Sequence, residues 1–473
     1  MADQIAATAE PEARASVKAW ALTAVLLLFC IFAVIDRTVI AMLVDPIRAD
    51  LGISDTQVAL LMGIAYAAAY AIGGLPMGYL VDKLPRRWIL YVAVTMWGLA
   101  EAACGLATGF VTLFIARAAV GFFESPLHPA AHSIIADSFP RRRLATAMSL
   151  YSTGSLLGTG LALIIGGYVV QALSQYETIS LPLFGAVKPW QMAFIVTGLP
   201  GLGIALLILL FKEPPRGLHG GHGPRSVAGG PEAGSWADLW AFVKLRWPVL
   251  LTLAVVFGGM NIVNGGLIKW QPSYLARNFH LNPAEYGLAL GLITAFAGVT
   301  GLMISGWIVD RMYAGGRKDA HLHYYMWTII ITSPLVIIAL TTESLTVYFS
   351  LIWIAKFATV NFMGLAAALV QLIAPPRLRG RLSAIFFLMI IALLGSSLGP
   401  LIPAIISDYV LHDEVRLGRA LAITLCIFGP LAVAAILLGR KPIRAAIDEA
   451  ESWSVEPSAP GARVDTAPEG AQP

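Results

Sequence analysis

Gly78-Tyr-Leu-Val-Asp82-Lys-Leu-Pro-Arg86-Arg87 closes one apolar stretch and precedes the next, and Gly306-Trp-Ile-Val-Asp310-Arg311-Met-Tyr does the same half a chain later. Glycine lets two helix ends approach closely. The aspartate can hold basic residues across a short loop, and Lys and Arg collect on one side of a membrane. The pair of loops predicts a bundle built twice. Spacing supports this, because Asp36 precedes Asp82 by 46 residues and Asn264 precedes Asp310 by the same interval.

Composition points the same way. Of 473 residues 58% are hydrophobic and 13% charged, against about 25% charged in soluble proteins, so the chain reads as an integral membrane protein. Apolar runs long enough to cross about 30 Å of hydrocarbon recur twelve times between 18–44 and 416–439. Alternate loops concentrate the basic residues, among them Lys83, Arg86, Arg87, Arg141 to Arg143, Lys212, Arg311, Arg317 and Lys318. The opposite loops hold only Arg48, Lys188, Arg277, Arg416 and Arg419. The asymmetry predicts that both termini are cytoplasmic, in a cell inner (plasma) membrane.

The expected organisation is a cytoplasmic tail over 1–17, six spans over 18–211, a Gly, Pro and His-rich linker over 212–245, six spans over 246–440 and a disordered tail over 441–473. His219 and His222 sit in the flexible linker and predict no metal site. Cys30, Cys104 and Cys426 all lie in apolar runs and read as packing residues. The fold class is all-α membrane protein, twelve transmembrane helices in two pseudo-symmetric six-helix bundles, the arrangement of the major facilitator fold.

Ionisable side chains at mid-helix cost about 2.5–3.5 kcal/mol each, so those retained usually face a cavity, a partner or a pathway. Here the acids are Asp36, Glu101 and Glu124 and the bases Arg37, Arg117, Lys269 and Lys356. At about 100° per residue, Arg117, Gly121, Glu124, His128 and His132 fall on one stripe of the fourth span. Counting helical rise places Asp36 level with Arg117, which predicts an Asp36–Arg117 ion pair and leaves Glu124 two turns deeper without a cation. A buried carboxylate without a partner suits proton uptake and release. Arg117 stays charged and suits a carboxylate or phosphate.

Proton coupling is therefore expected at Asp36, Glu124 and Arg117. Substrate binding is expected at Arg117, Lys356, Asn264, Asn361, Tyr66 and His128, and Lys269 is read as snorkelling towards the outer surface. His128 and His132 resemble half of a zinc site, but no Glu follows His128 and no third ligand is near, so no metal is expected. The second half offers amides and Lys356 without an intramembrane acid, and reads as the half that binds substrate. Gly78, Asp82, Arg86, Arg87, Asp310 and Arg311 are expected to latch the cytoplasmic gate. Gly154-xxx-Gly158 and Gly395-xxx-Gly399 predict close packing of the fifth and eleventh spans.

Val34-Ile-Asp36-Arg37-Thr-Val-Ile, Pro46-Ile-Arg-Ala-Asp-Leu-Gly-Ile-Ser-Asp-Thr-Gln57, the Gly78-to-Arg87 loop and Arg117-xxx-Gly121-xx-Glu124 resemble the bacterial spinster-like transporters of the major facilitator superfamily. The likeness spans the chain in architecture and residues 30–150 in detail. It implies proton-coupled movement of a lysophospholipid or sphingoid phosphate by alternating access, with Asp36, Arg117 and Glu124 as coupling and binding residues. The second loop departs from the pattern, with Arg317-Lys318 further on instead of an Arg-Arg pair. A symporter of small water-soluble organic anions is the alternative within the superfamily, and a substrate-sensing receptor the alternative outside it. The chain predicts no enzyme, because no nucleophile and base pair sits beside a phosphate or metal motif. No cofactor and no nucleic-acid partner are expected; the expected partners are the lipid bilayer, protons and an anionic or zwitterionic amphiphile, bound by a monomer.

Overall fold

The computed structural model describes residues 16–182, 185–216, 236–375, 378–387 and 394–452. His219, His222, most of the linker, and the tail from 453 lie outside them. Eleven helices among the described residues are long and apolar enough to cross a membrane. The first half holds Val17–Met42, Asp55–Lys83, Phe110–Ser138, Arg142–Leu173 and Pro189–Leu210. The second holds Ala237–Phe279, Pro283–Ala314, Ala320–Thr341, Leu345–Ile373, Leu394–Leu411 and Leu417–Ala450. Arg86–Cys104 is the third span and completes twelve, its apolar content diluted by Arg86, Arg87 and Glu101.

Local sequence sets where the spans begin and bend. Ser54 and Gln57 form a capping box that starts the second span, and Asn282 with Glu285 starts the eighth in the same way. The fourth span divides at Pro126 into Phe110–Glu124 and Leu127–Ser138, because proline removes a helix hydrogen bond. The tenth divides at Val360 and Asn361, and the seventh carries a π segment over Ala254–Gly258.

Two boundaries differ from the sequence reading. Helix Trp236–Leu253 begins ten residues before the expected end of the linker and turns at Arg246, where φ is −108°. At the other terminus Leu417–Ser452 is helical, so residues 441–452 are structured where a disordered tail was expected. Ion pairs hold that extension: Arg440 Nε and Arg444 Nη2 each lie 2.8 Å from Asp319, Lys318 pairs with Asp448 and Arg246 with Glu449. Composition alone misses partners that fold back from another loop.

The halves touch mainly towards the end opposite the basic loops. There the fifth and eighth spans cross backbone to backbone: a β-carbon on Gly160 would lie 3.1 Å from the Gly291 carbonyl oxygen, and one on Gly167 or Gly287 would strike the other helix. Gly265 and Gly399 make the equivalent approach between the seventh and eleventh spans. Gly154 and Gly158 pack on Cys30 and Val34 of the first span.

Ion pairs also cross between halves at this far end. Arg277 of the seventh span grips buried Asp55 through Nη1 at 2.7 Å and Nη2 at 2.8 Å, and reaches Asp45 at 2.6 Å. Arg48 adds a contact to Asp55 at 3.0 Å, and the Thr56 amide donates to Asp408 Oδ2 at 2.7 Å. At the basic end the ion pairs seen among the described residues lie within a half. Arg86 is buried against Asp137 at 2.5 Å and Glu213 at 3.0 Å, and a β-carbon on Gly78 would meet nothing within 4 Å. Among the described residues the polar contacts that cross between the halves gather at the far end.

Candidate central transport site

Burial forces the first-half charges into pairs, because an isolated charge out of water is costly. Asp36, Glu101, Arg117 and Glu124 are all fully buried. The pairing differs from the level-by-level expectation. Arg117 Nη1 binds Glu101 Oε2 at 2.9 Å and reaches only the backbone oxygen of Asp36, at 3.4 Å. The Asp36 carboxylate instead accepts a hydrogen bond from Trp97 Nε1 at 3.0 Å. Glu124 is not without a cation, since Arg37 pairs with it directly.

The cause is helix rotation. Successive side chains point about 100° apart, so Asp36 turns to the third span while Arg37 turns to the fourth. Depth along the membrane ranks residues but does not say which way they face. Arg37 also lies over the rings of Tyr66, at 5.2 Å, and Tyr70, at 5.8 Å, and Arg117 stands 6.0 Å from the Tyr66 ring. Gly121 allows this crowding, because a side chain there would collide with the Tyr66 backbone. Each acid keeps one buried oxygen without a hydrogen-bond partner: Asp36 Oδ1, Glu101 Oε1 and Glu124 Oε2. Arg37 retains 30% side-chain exposure while Glu124 has none, so the arginine is the member that can leave.

Lys269 does not snorkel. Its ammonium donates at 2.6 Å to the backbone oxygen of Arg37 and thereby ties the seventh span to the first. His128 Nδ1 lies 2.8 Å from the Tyr151 hydroxyl, and the His132 ring meets the edge of the same tyrosine at 5.3 Å. These histidines pack around Tyr151 on the first-half side.

A cavity of about 90 Å³ lies mostly within the second half and is closed on one side by Thr159 and Leu163 of the fifth span. Asn264, Gln271, Thr294, Ser333 and Lys356 supply its polar groups, while Leu163, Met260, Val263, Leu267, Ile293 and Phe362 are among its apolar walls. Asn264 and Lys356 therefore share one chamber. Asn361 does not line it, being 8% exposed at the break in the tenth span with its amide against Gly364. The Lys356 ammonium has no hydrogen bond or ion pair among the described residues.

Among the described residues the expected latch residues face no partner from the other half. Arg216 donates to the backbone oxygens of Val81, Asp82 and Leu84, Arg311 stacks on Trp307 at 5.6 Å, and Arg86 acts as a strut inside the first half. Residues that sequence reasoning missed are Glu101, left without a role, and the far-end group Asp45, Asp55 and Arg277. The signal for the latter was present, since loop 45–55 holds three carboxylates, Asp45, Asp50 and Asp55, on a side with few cations.

A buried charged cluster in one half and a polar-lined chamber mostly in the other, within a bundle of membrane-length helices, fit a membrane transporter. The chain belongs to the Major Facilitator Superfamily, whose sequence profile matches residues 25–400. An MFS-type efflux pump of Mycolicibacterium smegmatis is 27% identical over 417 residues, covering 85% of this chain and 88% of that protein. A D-galactonate transporter of Escherichia coli is 26% identical, with 74% of this chain and 81% of that protein covered. Among solved structures, a bacterial homologue of the human lysosomal transporter spinster, inward-facing and unoccupied, superposes with a TM-score of 0.70 at 24% identity, covering 93% of this chain and 98% of that one. The spinster-like resemblance read from residues 30–150 agrees with that likeness.

Proposed function

We propose that the chain is a proton-coupled secondary active transporter of an anionic or zwitterionic amphiphile, of the lysophospholipid or sphingoid phosphate type. It works by rocking its halves about the central site. The observation that carries this reading is Lys356: a cation without a counter-ion among the described residues, in a chamber whose walls are mainly apolar. An anionic head group would supply the missing charge, and the walls would accept an acyl chain.

Coupling centres on the Arg37–Glu124 pair. A proton on Glu124 cancels its hold on Arg37, and the partly exposed guanidinium turns to the substrate. Arg117, held by Glu101, keeps the first half assembled and does not take the head group, unlike the expectation from sequence. Asp36 is the second candidate for the proton. On this reading the basic end faces the cytoplasm, and Asp82 and Asp310 with their loop cations clasp when the far end parts.

A second reading, a symporter of small organic anions, is favoured by the D-galactonate relative, because one lysine also suits one carboxylate. Uptake into proteoliposomes under an imposed pH gradient separates the two, with labelled lysophosphatidate and D-galactonate offered to wild type and to Glu124→Gln. Gradient-driven uptake of the lysolipid alone, lost in the variant, is the expected result. Uptake of galactonate alone would transfer the assignment to the second reading, and flux indifferent to the pH gradient would remove proton coupling.

A further inference from the structure

The first half carries a second recess, on its membrane-facing side at the basic end and separate from the central chamber. Its walls come from three spans, with Met77 and Leu80 on the second, Trp88 and Val92 on the third, and Phe123 and Pro126 on the fourth. Its volume is about 290 Å³. Leu84 in the connecting loop and Trp88 and Val92, one turn apart on the third span, are 48%, 48% and 52% exposed and form the open edge of the recess.

The rim is cationic. Lys83 stands over the Tyr79 ring at 5.0 Å and has no hydrogen bond or ion pair among the described residues. Arg87 stacks on Trp88 at 5.5 Å, donates one Nη1 bond to the Phe211 oxygen at 3.3 Å, and keeps its buried Nε without a partner. Arg216 binds backbone oxygens and, among the described residues, no carboxylate. Around the rim, Lys83, Arg86, Arg87, Lys212 and Arg216 face Asp82, Asp137 and Glu213, which leaves two positive charges in excess. The acids Asp137 and Glu213 are already committed to Arg86.

We propose that this recess is a binding site for an anionic phospholipid of the surrounding leaflet, with one acyl chain between the second, third and fourth spans and its phosphate on Lys83 and Arg87. Apolar walls ending in unneutralised cations at the membrane surface match such a lipid at both of its ends. A zwitterionic head would need an acid to receive its ammonium, and Asp82 is one carboxylate against four other rim cations, Lys83, Arg87, Lys212 and Arg216. The loop that holds the phosphate is also the loop between the second and third spans, so a bound lipid stiffens the basic end of the first half. The inference rests on the membrane fold alone and is independent of the transported substrate.

Purified full-length chain in detergent is titrated with palmitoyl-oleoyl phosphatidylglycerol, palmitoyl-oleoyl phosphatidylcholine or sodium phosphate, and Tm is read for wild type, Lys83→Gln/Arg87→Gln and Val92→Trp. Val92 is lipid-exposed, so the tryptophan fills the recess without entering the core. Phosphatidylglycerol is expected to raise the wild-type Tm by roughly 3 °C more than phosphatidylcholine does, and both variants are expected to lose that increment relative to their own lipid-free Tm. Equal stabilisation by the two lipids, an increment retained in either variant, or the same rise with phosphate alone would each overturn the site.

Discussion

The two halves share a fold and divide its chemistry. In the first half, Asp36, Glu101 and Glu124 face Arg37 and Arg117, and most of the charge is spent internally. The second half places Lys356 on a chamber wall with neutral amides and hydroxyls around it. A self-compensated set can change state by gaining a proton, whereas a lone cation changes state by gaining a ligand. The asymmetry of the duplicated positions, Asp36 against Asn264, is the sequence trace of that division.

The largest test breaks the first half's compensation. Arg117→Met leaves Glu101 buried without its cation, and removing one member of a buried pair costs about 3–5 kcal/mol. The expected outcome is a severe loss of folded protein, read as the monodisperse fraction in detergent. Glu101→Gln/Arg117→Met should recover much of it, because both charges then leave together; no recovery would mean that the pair does not stabilise the half.

A test of intermediate size acts on the second half. Lys356→Gln removes a charge-assisted contact worth about 1.5–3 kcal/mol, so KM for the transported anion should rise about 10- to 100-fold with expression unchanged. Asn264→Asp puts into this chamber the acid its counterpart carries and should weaken substrate binding in the same direction by neutralising Lys356. Tighter binding in Asn264→Asp would mean the chamber does not select an anion.

The smallest effect concerns the basic-end struts of the two halves. Asp319 is buried, which opposes its charge, but hydrogen bonds and charge from Arg444 and Arg440 outweigh this and hold its carboxyl below the usual carboxylate range. Its folded-state value is depressed, so its contribution is fully present above the unfolded value of about 3.9 and is lost as pH falls through the folded one. A spin label at Ala445 should keep its mobility from about pH 8 to pH 5 and loosen only below about pH 4. The first-half strut at Arg86 provides the comparison.

The spans, the repeat and the basic loops were legible in the sequence because hydropathy and charge bias are local. Lys356 and Asn264 were legible as chamber residues because a polar group in an apolar helix has few other uses. Charge pairing was not. Asp36 and Arg37 are adjacent, and only the rotation of the first span decides that one meets Trp97 and the other Glu124. Asn361 sits off the chamber because the tenth span breaks beside it, and Lys269 points inward because the far end is shut over it. The helix beyond residue 441 was hidden for a related reason, since its partners, Asp319 and Lys318, lie more than a hundred residues away in sequence.

The fifth and eighth spans meet through glycines, at Gly160 against Gly291 and Gly167 against Gly287. A seam of bare backbone has no rotamers to rearrange, so it behaves as a bearing on which one half can turn with little friction. Friction is added instead by Arg277 and Lys269, which clamp the same end. The speed of the cycle would then be set by how fast a few polar clamps release, and a single methyl group on the seam would act as grit.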